Sequence, residues 1–221
     1  MLLVQGSVSV TAYNPNNRFE IKIWEEDFRE IPTRMLCARI CQPIGDGPFP
    51  VLLDLHGGAW TSKDRMANVA MADAMAQSGI LTVSIDLRLA SEAPYPASVQ
   101  DANYGIRWLK MKAPSWQGEP STLGLLGSSS GGHVAELLGM RPEDPRYNAL
   151  PLEGHEEIDA SVRYVATRSP ILWRATTTRS SRDVKRWRAA TTFISIHLVI
   201  LRKLILSEYL SAESRSSCRH C

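Results

Sequence analysis

The stretch Leu123 to Leu138, LGLLGSSSGGHVAELL, constrains this chain more than any other. Leu123, Leu125 and Leu126 form an apolar run, Gly127-Ser128-Ser129-Ser130-Gly131 follows, and Val134, Ala135, Leu137 and Leu138 recur at helical spacing. The pattern predicts a strand, a sharp turn and a helix, with a G-x-S-x-G core centred on Ser129. The shape has chemical meaning. A serine hydroxyl is a weak nucleophile; a tight strand-to-helix turn exposes its oxygen at the sheet edge, and the helix N-terminus behind it favours developing negative charge. Glycines two residues to either side let backbone pass where side chains would clash. A Gly/Ser-rich loop gives the same five-letter match by chance, so the strand and helix flanks carry the weight.

A second motif lies upstream. Residues Pro50 to Trp60 read PVLLDLHGGAW, an apolar strand ending in His56-Gly57-Gly58. In serine hydrolases of the α/β type, a glycine-rich turn after the third strand supplies backbone N–H groups to an oxyanion hole, and the N–H after the nucleophile supplies the other. Here these are Gly57, Gly58 and Ser130. An ordinary β-turn is the plainer reading of His56–Gly58, but it explains neither the preceding strand nor the serine turn downstream.

With both motifs in order, the chain resembles the α/β-hydrolase esterase/lipase family, near the HGGxW-type carboxylesterases and feruloyl-esterase-like proteins. The resemblance rests on LHGGAW (55–60), DLRLASEAPYPASVQDANYGIRWLK (86–110) and GLLGSSSGGHVAELLGMRPEDPRY (124–147), and covers roughly residues 18 to 170. It implies Ser129 as catalytic nucleophile, Gly57, Gly58 and Ser130 as oxyanion and substrate-binding donors, a small-molecule ester as substrate, and an acyl-enzyme mechanism. The fold it implies is α/β, a mainly parallel sheet with helices on both faces, C-terminally incomplete.

The pattern along the chain agrees. Phe19–Trp24, Met35–Cys41, Val51–Leu55, Ile80–Ile85, Leu123–Leu126 and Ala160–Ala166 read as strands. Asp64–Gln77, with Met66, Val69, Ala70, Met71 and Ala74 on one side, reads as a helix closed by Gly79, and Ala97–Lys112 as another. Alternating strands and helices imply the parallel sheet. A length of 221 residues, 44% hydrophobic and 22% charged, is ample for one core. Four cysteines make no disulfide framework, and Cys37 and Cys41 read as core thiols. The N-terminus has no basic, apolar signal pattern, so the expectation is cytoplasmic. No phosphate loop or zinc-type histidine cluster precedes residue 168, so no cofactor and no metal are expected, and net charge of +2 names no nucleic-acid partner.

Several residues invite over-reading. His133, four residues after Ser129, points along its helix and is expected to pack rather than act as base. His56 is expected to shape the glycine turn, Trp60 to wall a pocket or the core, and Asp86 and Arg88 to form an ion pair or loop bonds.

The C-terminal quarter breaks the pattern. None of the 14 glycines lies after residue 167; residues 1–167 carry 14 Lys/Arg and 20 Asp/Glu, and residues 168–221 carry 11 and 3. A parallel α/β domain without glycine lacks the residue its turns most need. The expected division is therefore residues 1–170 as the α/β-hydrolase N-terminal portion and 171–221 as an aberrant basic tail. A reading-frame change is the expected cause: back-translated with permitted codons and shifted by two nucleotides, Leu198–Cys221 can yield a string containing EANPQR and LPP, which resembles the family's segment after the sixth strand. On this fold the triad acid and base follow the serine. Asp159 precedes the sixth strand, at the wrong end for the site, and Asp183 and His197 lie in the tail, so none is assigned. Phe193–Leu206 is too short and too charged to span a bilayer. Two readings follow: a serine carboxylesterase, or a catalytically inactive remnant lacking the triad Asp and His.

Overall fold

The computed structural model describes residues 18–171. The expectations for residues 1–17 and for the tail from 172 onward, including Asp183, His197 and Phe193–Leu206, lie outside the described residues.

In chain order the elements are β1 (Ile21–Ile31), β2 (Arg34–Pro43), β3 (Phe49–Leu55), α1 (Val69–Gln77), β4 (Leu81–Ile85), α2 (Ala97–Lys112), β5 (Gly118–Ser128), α3 (Ser130–Met140) and β6 (Tyr164–Arg168). They build a six-stranded sheet in the order β1-β2-β4-β3-β5-β6. The β1/β2 and β2/β4 pairs are antiparallel, whereas β3/β4, β3/β5 and β5/β6 are parallel.

Side chains alternate across a strand, so each parity defines a face. Leu36, Ala38 and Ile40 of β2, Val51, Leu53 and Leu55 of β3, Leu81, Val83 and Ile85 of β4, and Leu123 and Leu125 of β5 share one core with Val99, Ala102 and Ile106 of α2 and Val134, Ala135 and Leu138 of α3. Each fully buried Val, Leu or Ile among them contributes roughly 1.5–3 kcal/mol. The opposite parity faces α1: Cys41 meets Ala72 and Ala76, and Arg39 pairs with Asp73 at 2.8 Å. Helices therefore cover both faces, as the sequence predicts, but the α1 face is the more polar. Of the two predicted core thiols, Cys41 is buried and Cys37 half-buried, both reduced.

The structure moves some boundaries. β1 runs on from Trp24 to Ile31, with an irregularity between Asp27 and Arg29; its charged residues are tolerated because an edge strand keeps one side in water. α1 starts at Val69 rather than Asp64, since the Asp64 carboxylate accepts the Met66 N–H at 2.9 Å and turns the chain, leaving Met66 46% exposed. β6 starts at Tyr164 rather than Ala160, because the Asp159 carboxylate makes the same kind of local turn with the Ser161 N–H at 2.8 Å. Asp86 and Arg88 do not pair with each other: Asp86 is held by Arg34 and Arg65, both at 3.1 Å, and Arg88 by Asp101 at 2.9 Å.

Candidate active site

Parallel pairing places the C-terminal ends of β3 and β5 side by side, with Leu55 opposite Gly127. The glycine turn and the serine turn leave the sheet there together. Ser129 sits between β5 and α3 with φ 53° and ψ −117°, a conformation costly for a residue with a Cβ. The turn is held on both sides: the Ser129 N–H donates to the Arg168 carbonyl at 2.9 Å, and the Ile171 N–H donates to the Ser129 carbonyl at 3.1 Å. The end of β6 thus braces the strained residue. Ser129 is half-buried and Ser130, first in α3, is buried.

Close approach makes two glycines indispensable. A Cβ on Gly57 would stand 2.9 Å from the Ser128 carbonyl oxygen and 3.1 Å from the Ser129 Cβ; one on Gly131 would stand 2.2 Å from the Leu55 carbonyl oxygen. The two turns interlock through backbone. Gly58 follows at φ 104°, and Ala59, Trp60 and Lys63 also have positive φ, so the whole segment after β3 is tightly wound. Among the described residues, the N–H groups of Gly57, Gly58 and Ser130 have no hydrogen-bond partner. At the start of α3 that is expected, because a helix leaves its first N–H groups unused.

His56 locks the glycine turn. Its Nε2 accepts the Leu87 N–H at 3.3 Å, so the proton rests on Nδ1, which donates to the Gly57 carbonyl at 2.8 Å. Burial holds its pKa below the usual histidine value, which keeps the ring neutral and this tautomer in place. His133 packs edge-on against Trp60 at 5.7 Å between centroids, as expected of a packing residue. Its Nδ1 is buried and has no partner among the described residues, and burial lowers its pKa. Trp60 walls a small recess with Gly57, Leu87, Ser130 and Val134.

Among the described residues, no imidazole or carboxylate is hydrogen-bonded to the Ser129 hydroxyl. Asp159 stands elsewhere: Lys110 at 2.6 Å and Ser161 hold it, and these bonds bring its pKa down to about 2. His155, half-buried, stands beside Glu157. No group of His, Cys, Asp and Glu among the described residues could hold a metal ion, and no helix among them is long and apolar enough to cross a membrane.

One buried group escapes the sequence reading. Asp54 interrupts an otherwise apolar strand, is 1% exposed, and accepts hydrogen bonds from Ser84 and Asn68. Burial pushes its pKa up to about 6, against the pull of those two bonds. The single charge in PVLLDL was the signal.

With this geometry in hand, comparison with known proteins places the chain. The BD-FAE family model matches residues 40–186, and the chain belongs to this α/β-hydrolase esterase family. Esterase LipC of Mycobacterium tuberculosis is 32% identical over 117 residues, 52% of this chain and 29% of that protein. Carboxylesterase NlhH of the same organism is 35% identical over 117 residues, 52% of this chain and 35% of that protein. The chain thus spans about a third of the length of these relatives. Among solved structures, the butyrate-bound esterase Est2 of Thermogutta terrifontis superposes with a TM-score of 0.60 at 23% identity, covering 77% of this chain and 62% of that one. The same organism's esterase 2 phosphorylated by paraoxon gives 0.60 at 20%, covering 72% and 62%.

Proposed function

We propose that this protein is a serine carboxylesterase acting on small-molecule esters. Ser129 attacks the ester carbonyl, the N–H groups of Gly57, Gly58 and Ser130 receive the oxyanion, the alcohol leaves, and water releases the acyl group from Ser129. The observation that carries the reading is the interlocked pair of turns. They put a serine with a strained backbone beside three N–H groups free of other partners among the described residues, at the C-terminal edge of a parallel sheet. The relatives support it, being named esterases and carboxylesterases, and so does the Thermogutta esterase, solved with butyrate bound and phosphorylated by paraoxon.

A second reading has its own support. His56 uses both ring nitrogens, and neither His133 nor His155 is bonded to the Ser129 hydroxyl. Without a base, the site keeps oxyanion stabilisation and binding, on the order of 10³–10⁴ over water. In that reading residues 1–170 form a ligand-binding α/β-hydrolase portion and 171–221 a basic tail without catalytic groups.

Hydrolysis of a short-chain p-nitrophenyl ester by the 221-residue chain, beside its Ser129→Ala variant, decides between them. Turnover at ordinary enzymatic rates that disappears in Ser129→Ala supports the esterase. Equal, near-background rates in both support the remnant.

A further inference from the structure

Beneath the Ser129 turn, on the α1 face of the sheet, side chains from four parts of the chain meet. Asp54 of β3 accepts the Asn68 amide at 2.9 Å through Oδ1 and bonds Ser84 Oγ of β4 at 2.9 Å through Oδ2. The same Asn68 Nδ2 also donates to Ser128 Oγ of β5 at 3.4 Å. Asn68 holds the N-cap position of α1, where an asparagine side chain ordinarily accepts an N–H of its own helix, yet it makes no capping bond. Its amide is turned inward instead. Asp54 and Ser128 lie two residues before His56 and one before Ser129, so this single amide ties the strand that carries the glycine turn to the strand that carries the serine turn.

We propose that Asp54 is a positioning residue for the Ser129 site: acting through Asn68, it holds Ser128, and with it the nucleophile turn, in register against the Gly57–Gly58 turn. The proposal rests on the reading of Ser129 as nucleophile, but the mechanical link does not. An ionised carboxylate accepts from Asn68 and Ser84 together, whereas a protonated one spends an oxygen as donor and weakens its hold. Because burial brings Asp54 up to about 6, the link changes strength within the ordinary pH range. The charged and titratable groups facing it are Arg168 at the end of β6 and Cys41 on β2, which Arg39 and Asp73 accompany. With its pKa raised to about 12, Cys41 stays a thiol throughout that range.

Nuclear magnetic resonance on the full, isotopically labelled chain reads the link directly. Between pH 4.5 and 8, the Asp54 carboxyl carbon and the backbone amides of Ser128, Ser129 and Gly57 should move with one shared midpoint near 6. Asp54→Asn should abolish that common titration. In Asn68→Ala, and in the milder Ser128→Ala, Asp54 should still titrate while the Ser128 and Ser129 amide response falls severalfold. Ester hydrolysis should show about a tenfold lower kcat in Asn68→Ala at unchanged KM, as expected when positioning rather than binding is lost. Amides that ignore Asp54, or that follow it equally in Asn68→Ala and Ser128→Ala, overturn the proposal. Coupled amides in a chain that turns over no ester leave the link standing and overturn the esterase reading; turnover without coupling does the reverse.

Discussion

Gly57 and Ser129 approach so closely that a methyl group on the first would lie 3.1 Å from the Cβ of the second and 2.9 Å from the Ser128 carbonyl oxygen. Neither neighbour can retreat cheaply, because the Ser129 N–H is bonded to Arg168 and its carbonyl to Ile171. Gly57→Ala is therefore expected to push the two turns apart. The stability cost should be about 1–3 kcal/mol, the usual range for an overpacked site, read as a lower midpoint in urea. Ester turnover should fall by at least about tenfold, since small displacements of positioned donors are costly in rate.

The strain at Ser129 has a thermodynamic signature of its own. With φ 53° and ψ −117°, the residue occupies a region that glycine enters freely. Ser129→Gly should therefore stabilise the fold, by about 1 kcal/mol once glycine's greater loss of chain entropy is set against the relieved strain, and raise the unfolding midpoint. The same variant should have no enzymatic turnover. Ser129→Ala, which keeps the Cβ, should lose turnover without that gain. Thermal unfolding of the three proteins side by side checks this.

Most of the fold was legible because it is written in short-range patterns. The apolar runs 51–55 and 123–126 and the helical spacing after Ser129 each correspond to β3, β5 and α3. The two glycine motifs located the candidate site for the same reason: their spacing reflects local backbone geometry. What the sequence hid depends on tertiary neighbours. Asp54 reads as a blemish in an apolar strand until α1 and β4 bring Asn68 and Ser84 to it. The Arg168 carbonyl that braces Ser129 is a backbone group and leaves no mark in the residue pattern. The expected ion pairs and loop bonds at Asp86 and Arg88 form, but the sequence leaves their partners open, because proximity along the chain says little about which of several cations a buried carboxylate meets; Asp86 takes Arg34 and Arg65, and Arg88 takes Asp101.

Asp159 offers a control on the candidate acid. It is occupied by Lys110 and Ser161, with its side chain 55% exposed. Exposed ion pairs contribute little, in the range of about 0–1 kcal/mol. Asp159→Ala should leave kcat, KM and the pH profile of any ester hydrolysis unchanged and lower stability by no more than that amount. A large fall in kcat would make Asp159 part of the catalytic apparatus despite its place before β6.

Asp54 makes the sharpest pH prediction. Its ordinary carboxyl value, 3.8, rises to about 6 in the fold, so the folded state binds the proton more tightly than the unfolded chain does. The sign follows from linkage: stability from this group is full below about 4, where both states are protonated, and is lost as pH rises through about 6. At pH 7.5 the buried charge costs on the order of 2–3 kcal/mol. Asparagine can keep both contacts, its oxygen accepting from Asn68 and its amide donating to Ser84. Asp54→Asn should thus be more stable than the wild type at pH 7.5 by up to that amount, with the difference shrinking toward zero near pH 4. His56 works in the opposite direction: burial lowers its pKa, so its contribution is present above the ordinary histidine value and is lost as pH falls. Between pH 4 and 7 these two groups tilt wild-type stability in opposite directions. Removing Asp54 should therefore leave a variant whose stability declines more steeply with acid than the parent's. Urea unfolding across that range tests both parts, and a variant less stable than wild type at pH 7.5 would mean that the carboxylate is better solvated in the fold than its burial implies.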